Sequence, residues 1–146
     1  MPTYTYETLC RKIIEGASDA IIFADREGVI RLWNEGAEAV FGFRSEEALG
    51  QSLDIIIPEQ LRERHWQGYQ KVMASGVTRY GRELLAVPAM RHDGVRISVE
   101  FSMVLVRDSA AEIVGSAAIV RDVTERWQRE KALKGRLAAL EAKQHF

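Results

Sequence analysis

Apolar residues recur along this chain in two rhythms, and the changes between them mark out its elements. Leu9, Ile13 and Ile14 fall at helical spacing over Thr5–Ala17, which predicts a short helix. Two β-type runs follow, Ile21–Phe23 and Val29–Trp33, parted by Asp25-Arg26-Glu27-Gly28. A polar break closed by glycine between such runs predicts a hairpin. Asn34 is placed to cap EGAEAVFGF, in which Ala37, Val40 and Phe41 return to helical spacing. Ser45-Glu46-Glu47-Ala48 begins another short helix, with Ser45 as the expected cap and Gly50 as the stop. Leu53–Ile57 is an apolar connector.

The stretch from Pro58 to Gly76 (PEQLRERHWQGYQKVMASG) predicts one longer helix. Proline suits a first turn, Glu59 complements the helix dipole, and Gly76 is a natural stop. At about 100° per residue, Leu61, His65, Gly68, Tyr69 and Val72 share roughly a third of the circumference. His65 therefore lies on the apolar side, where a buried imidazole needs a partner. Trp66 and Met73 flank the stripe; Arg62, Glu63, Gln67 and Lys71 point elsewhere.

Period-two alternation then takes over. Arg82–Met90 is the third expected strand, with Pro88 marking an edge or a bulge. Asp93-Gly94 signals a hairpin turn. Val95, Ile97, Val99, Phe101 and Met103 alternate with Arg96, Ser98, Glu100 and Ser102, as a half-buried strand requires. Ile113–Val123 is the fifth strand. Asp122 or Thr124 caps a charged final helix in which Trp127, Leu133, Leu137 and Leu140 approach a coiled-coil seam. This order predicts an α+β fold: a five-stranded antiparallel sheet with helices on one face and a pocket between them. Residues 1–17 form an N-terminal cap, 18–123 the body and 124–146 a terminal helix.

With 146 residues the chain suits one domain with a sizeable core. A net charge of −1 gives no electrostatic footprint for nucleic acid. The single cysteine, Cys10, rules out a disulfide framework or a cysteine-based zinc site. No apolar run reaches the roughly 18 residues of a membrane span, and the N-terminus lacks signal-peptide features, so a cytoplasmic location is expected. Paired carboxylates, a phosphate-binding glycine loop and a nucleophile with its base are all missing at recognisable spacings, which argues against an enzyme.

Several of these segments together resemble a PAS domain over roughly residues 10–125. They are ASDAIIFADREGVIRLWNEGAEAVFGF, Glu47-Ala48-Leu49-Gly50, the Asp93-Gly94 hairpin and the closing IVRDVTER. The resemblance implies a sensory and interaction module, binding haem, flavin or a small metabolite between sheet and helices, or nothing. Within it, IIPEQLRERHWQGY looks like the helix that carries the proximal iron ligand in haem-PAS oxygen sensors. That likeness implies haem b held by His65, with Gly68 leaving room for the macrocycle. It places Lys71 and Arg79 near the propionates and Phe101 and Met103 on the apolar distal wall.

One position departs from that group. Where the oxygen sensors carry a distal arginine, the ungapped register puts Leu85; Arg82 reaches the place only after a three-residue shift. An apolar lining there suits CO, NO or a redox role better than polar stabilisation of oxygen. The covalent flavin-adduct cysteine of light-sensing relatives has no counterpart, although non-covalent flavin remains compatible. The alternative expectation is a cofactor-free or metabolite-binding dimerisation module. In either case the implied partners are a second copy through the terminal helices and a downstream kinase, cyclase or transcription factor, with neither nucleic acid nor membrane contacted.

Overall fold

The computed structural model describes residues 3–78 and 84–144. Its first helix, α1 (Tyr6–Gly16), is capped by the Thr5 hydroxyl, which accepts from the Thr8 amide at 3.2 Å. β1 (Ala20–Asp25) and β2 (Ile30–Trp33) form the expected hairpin. Asp25 Oδ1 organises its turn by accepting from the Glu27 and Val29 amides, each at 3.0 Å. Gly28 completes the turn at φ +79°, a conformation that glycine adopts without the steric cost of a side chain.

Asn34 then does far more than cap a helix. Its Oδ1 accepts from the Ala37 amide (2.9 Å), opening α2 (Glu35–Phe41), and from the Ile21 amide (2.8 Å). Its Nδ2 donates to Ile14 O at 2.7 Å and Asp19 O at 3.1 Å. One buried amide thus joins α1, β1 and α2, with its donors and acceptor all satisfied as burial demands. The short α3 (Ser45–Ala48) takes its cap from Arg44, so Ser45 is its first helical residue rather than the expected cap.

Between α3 and the next helix the chain makes two short 3-10 turns, Leu53–Ile56 and Glu59–Leu61. Helix α4 runs from Arg62 to Ser75, four residues later than the expected start at Pro58, and Gly76 closes it in the left-handed conformation at φ +71°. The proline is compatible with a first turn, but the segment after it tightens into a 3-10 turn and the α-helix begins only beyond it.

Strands β3 (Leu85–Met90), β4 (Arg96–Arg107) and β5 (Ile113–Asp122) complete an antiparallel sheet in the order β2-β1-β5-β4-β3. Pro88 sits in β3, an edge strand, where a missing amide hydrogen is tolerated. Pairings such as Ile22↔Ala118, Met103↔Ala118, Phe101↔Val120 and Leu85↔Phe101 put these residues on one face, the inner one. Helix α2 covers part of that face, and the main core gathers there around Ile30, Phe41 and Ile97. The outer face carries Ser98, Glu100, Val104 and Ile119.

Helix α5 (Thr124–Lys143) is rooted on β4: the Thr124 hydroxyl accepts from the Ser98 amide at 2.9 Å, and the Asp122 carboxylate accepts from the Thr124 amide at 2.9 Å. Beyond this root Leu133, Leu137 and Leu140 remain largely exposed. No helix among the described residues is long and apolar enough to cross a membrane.

Candidate functional site

The site is built on α4, whose inward stripe emerges much as the helical spacing predicts. Tyr69 and Met73 are buried, with Leu61, His65 and Val72 half-buried beside them. Tyr69, Met73 and Val72, together with Trp66, Leu53, Leu105 and Ile113, form a second apolar cluster, separate from the main core. Leu53 touches both clusters. Along β4, Phe101 packs on the main core and Leu105 on the second cluster, while Met103 between them belongs to neither. Leu85, Phe101, Met103 and Ala118 are all only half-buried, although they lie on the inner face. Val99, two residues before Phe101, is 3% exposed. Burial along β4 is therefore less complete at Phe101 and Met103 than at Val99.

His65 is half-buried on α4. Its ring lies 4.6 Å from the Trp66 ring at 77°, edge to face, and 5.8 Å from the Tyr69 ring at 34°. Nδ1 is sealed from solvent and has no hydrogen-bond partner among the described residues. Burial lowers the histidine's pKa, and the charge of Asp54 opposes this only in part. The imidazole is accordingly neutral at pH 7, the form in which a ring nitrogen carries the lone pair a metal needs.

Two polar contacts fasten the helix at this point. Trp66 Nε1 donates to Asp54 Oδ1 at 2.7 Å. The Tyr69 hydroxyl lies 2.5 Å from Asp25 O and 3.2 Å from Ala24 O, so its proton is shared at the end of β1. Burial raises the Tyr69 pKa, so the phenol stays a donor. The Trp66 indole rests against Gly28, where a Cβ would come within 2.1 Å of the ring. Asp25 on the same turn is held ionised: burial pushes its pKa up, but the Val29 and Glu27 amides and Arg31 more than offset this.

Of the other residues marked by the sequence, Gly68 is exposed, with open space where a Cβ would stand, and Lys71 is exposed. Arg79 and Arg82 lie outside the described residues. Leu85 pairs in register with Phe101 on the inner face. Sequence reasoning passed over Asp54 and Gly28. A Ser-x-Asp turn before a proline and a glycine in a hairpin are each commonplace, and only the arrival of Trp66 makes them a site. A separate groove of about 570 Å³ lies on the outer face, between β3, β4 and the root of α5, lined in part by Pro88, Glu100, Arg126 and Trp127.

The family described as "PAS fold" matches residues 14–128. Among curated proteins, the chain is 31% identical over 133 residues to the sensor protein FixL of Bradyrhizobium diazoefficiens, covering 89% of this chain and 25% of that one. It is 28% identical over 105 residues to the oxygen sensor protein DosP of Escherichia coli, covering 72% of this chain and 13% of that one. The chain thus spans a quarter or less of the length of these two relatives. Among solved structures, the PAS domain of a Colwellia psychrerythraea protein superposes with a TM-score of 0.73 at 23% identity, covering 83% of this chain and 99% of that one.

Proposed function

The chain belongs to the PAS-fold family, and from that premise we propose that it is a sensory domain that holds haem b through His65 and responds to a diatomic gas or to redox state. One observation carries the reading: a neutral imidazole, sealed at Nδ1 and without a hydrogen-bond partner there among the described residues, sits half-buried on the inward stripe of α4. With Nδ1 closed off, Nε2 is the nitrogen through which the ring would hold iron. The half-buried Leu85, Phe101 and Met103 form an apolar floor suited to a macrocycle. Lys71 and Arg79 are the cations that would meet its propionates. Haem in this position would supply an iron site for a small ligand or a one-electron couple.

The protein's own share of the work is to hold the imidazole neutral, to exclude water with apolar side chains, and to change packing when the cleft changes. Leu85, Phe101 and Met103 offer no N–H or O–H donor, so the lining favours CO or NO, or a redox response, over a ligand that needs a hydrogen bond. The curated relatives include a sensor protein and an oxygen sensor, which supports a sensing role in the same broad class. Residues 18–123 would form the sensing body, and 1–17 and 124–146 the helical connectors to a kinase, cyclase or transcription-factor effector.

Haem titration of the purified chain tests this. The expected result is a stoichiometric Soret band that His65→Ala abolishes or shifts; failure to take up haem at a ratio near one would end the proposal. A second reading, a cofactor-free dimerisation module, draws on α5, where Leu133, Leu137 and Leu140 are each more than half exposed along one helix. In that case the protein is colourless and deletion of residues 122–142 converts a dimer to a monomer in light scattering.

A further inference from the structure

The histidine's helix packs on the sheet through Tyr69 and Met73 and is tied besides to the β1–β2 hairpin and the 3-10 connector, and this tie touches the histidine itself. Trp66 has three neighbours at once. Its N–H donates to Asp54 at 2.7 Å, its ring sits where any side chain at position 28 would collide with it, and its edge-to-face contact with His65 is 4.6 Å between centroids. Three residues on, Tyr69 donates to the Ala24 and Asp25 carbonyls at the end of β1, and its ring lies 5.8 Å from the imidazole and 5.5 Å from the indole. Nδ1 of His65 has no hydrogen-bond partner among the described residues, and the ring lies against these two aromatic neighbours.

We propose that Trp66, held by Asp54 and seated on Gly28, is a positioning residue that sets the orientation of the His65 imidazole and couples it to the β1–β2 turn. Two rings at fixed angles leave the imidazole few rotamers that avoid a clash. An N–H bonded to a carboxylate is a strong, directional tether, and it holds the indole while the indole holds the histidine. Because the indole fills the space above Gly28, a displacement of His65 pushes on Trp66, and Trp66 pushes on the turn that feeds β1. The consequence for haem rests on the reading of His65 as the iron ligand; the consequence for the ring itself does not.

The test begins with the haem-free full chain and side-chain NMR of His65, with assigned amides at Gly28 and Val29. Trp66→Leu removes both stack and tether, and Trp66→Phe keeps the stack but loses the tether. Asp54→Asn keeps a hydrogen-bond acceptor, and Gly28→Ala pushes the indole from its seat. The expected result is that Trp66→Leu shifts the His65 ring signals and the turn amides together, Trp66→Phe shifts them less, Gly28→Ala shifts the His65 ring signals through the displaced indole, and Asp54→Asn leaves all of them near wild type. His65 signals unmoved in a folded Trp66→Leu protein would overturn the proposal. So would His65 and turn signals that move independently. Should Trp66→Leu fail to fold, Trp66→Phe decides the matter by the same signals. In haem titrations, positioning variants are expected to weaken uptake roughly tenfold to a hundredfold. If the wild type binds no haem while the coupled shifts are present, the iron reading falls and the positioning role stands.

Discussion

Helices α2 and α4 cover two ends of the same sheet face, and they are attached by different physics. Helix α2 is fastened from the inside: Asn34 supplies a bonded cap, and Phe41, 1% exposed, plugs the main core against Ile30 and Trp33. Helix α4 has no side-chain hydrogen bond at its N-cap. It is held by a small satellite cluster, by the Trp66–Asp54 contact and by the Tyr69 hydroxyl on the β1–β2 turn. One end of the sheet is therefore a sealed scaffold, while the other is a wall hung from a few contacts. Such a wall opens at lower free energy than the core does, which is what a ligand-responsive region needs.

Four experiments would break or sharpen that contrast. Phe41→Ala should cost the most, about 3–5 kcal/mol by denaturant titration, because it empties the centre of the main core. Asn34→Ala should follow at roughly 1–3 kcal/mol in the same assay, since it removes a cap and leaves the partly buried Ile21 amide without its side-chain partner. It should also raise hydrogen exchange in α1 and α2 together. A loss confined to α2 would show that Asn34 does not join the two helices.

Tyr69→Phe deletes one hydrogen bond and should cost about 1 kcal/mol. Its signature is local: amide exchange should quicken in α4 and leave α2 unchanged. Equal acceleration in both helices would collapse the distinction between scaffold and wall. The smallest effect is that of pH on the haem-free protein. Burial lowers the His65 pKa in the fold. Below about 6.5 the unfolded chain takes up a proton that the folded chain refuses. The stability due to neutral His65 is complete above that pH and is lost as the pH falls toward the folded-state pKa. Thermal melts between pH 7.5 and 5.5 should show this decline, and His65→Gln should flatten it.

Much of this architecture was legible from local signals. The β1–β2 hairpin, the Asn34 cap, the Asp93-Gly94 turn and the strands each carry a pattern of neighbouring residues; four strands appear within a residue or two of expectation, and β3 begins at Leu85, its expected start at Arg82 lying outside the described residues. The errors fall where neighbours beyond the local segment decide. Ser45 looked like a cap, but the backbone of Arg44 took that position. Pro58 looked like a first helical residue, but the chain tightens into a 3-10 turn before α4 begins at Arg62.

The sequence alone determined that a histidine would ride the apolar stripe of a helix between a hairpin and three strands, because a 3.6-residue period is written in adjacent positions. Only the tertiary structure decided what surrounds that histidine. Asp54, Trp66 and Gly28 are separated by 12 and 38 positions along the chain, and nothing in their separate contexts announces a meeting. They come together because the β1–β2 turn, the 3-10 connector and α4 converge at one end of the sheet. There the main core ends, and a second cluster must form from whatever side chains arrive.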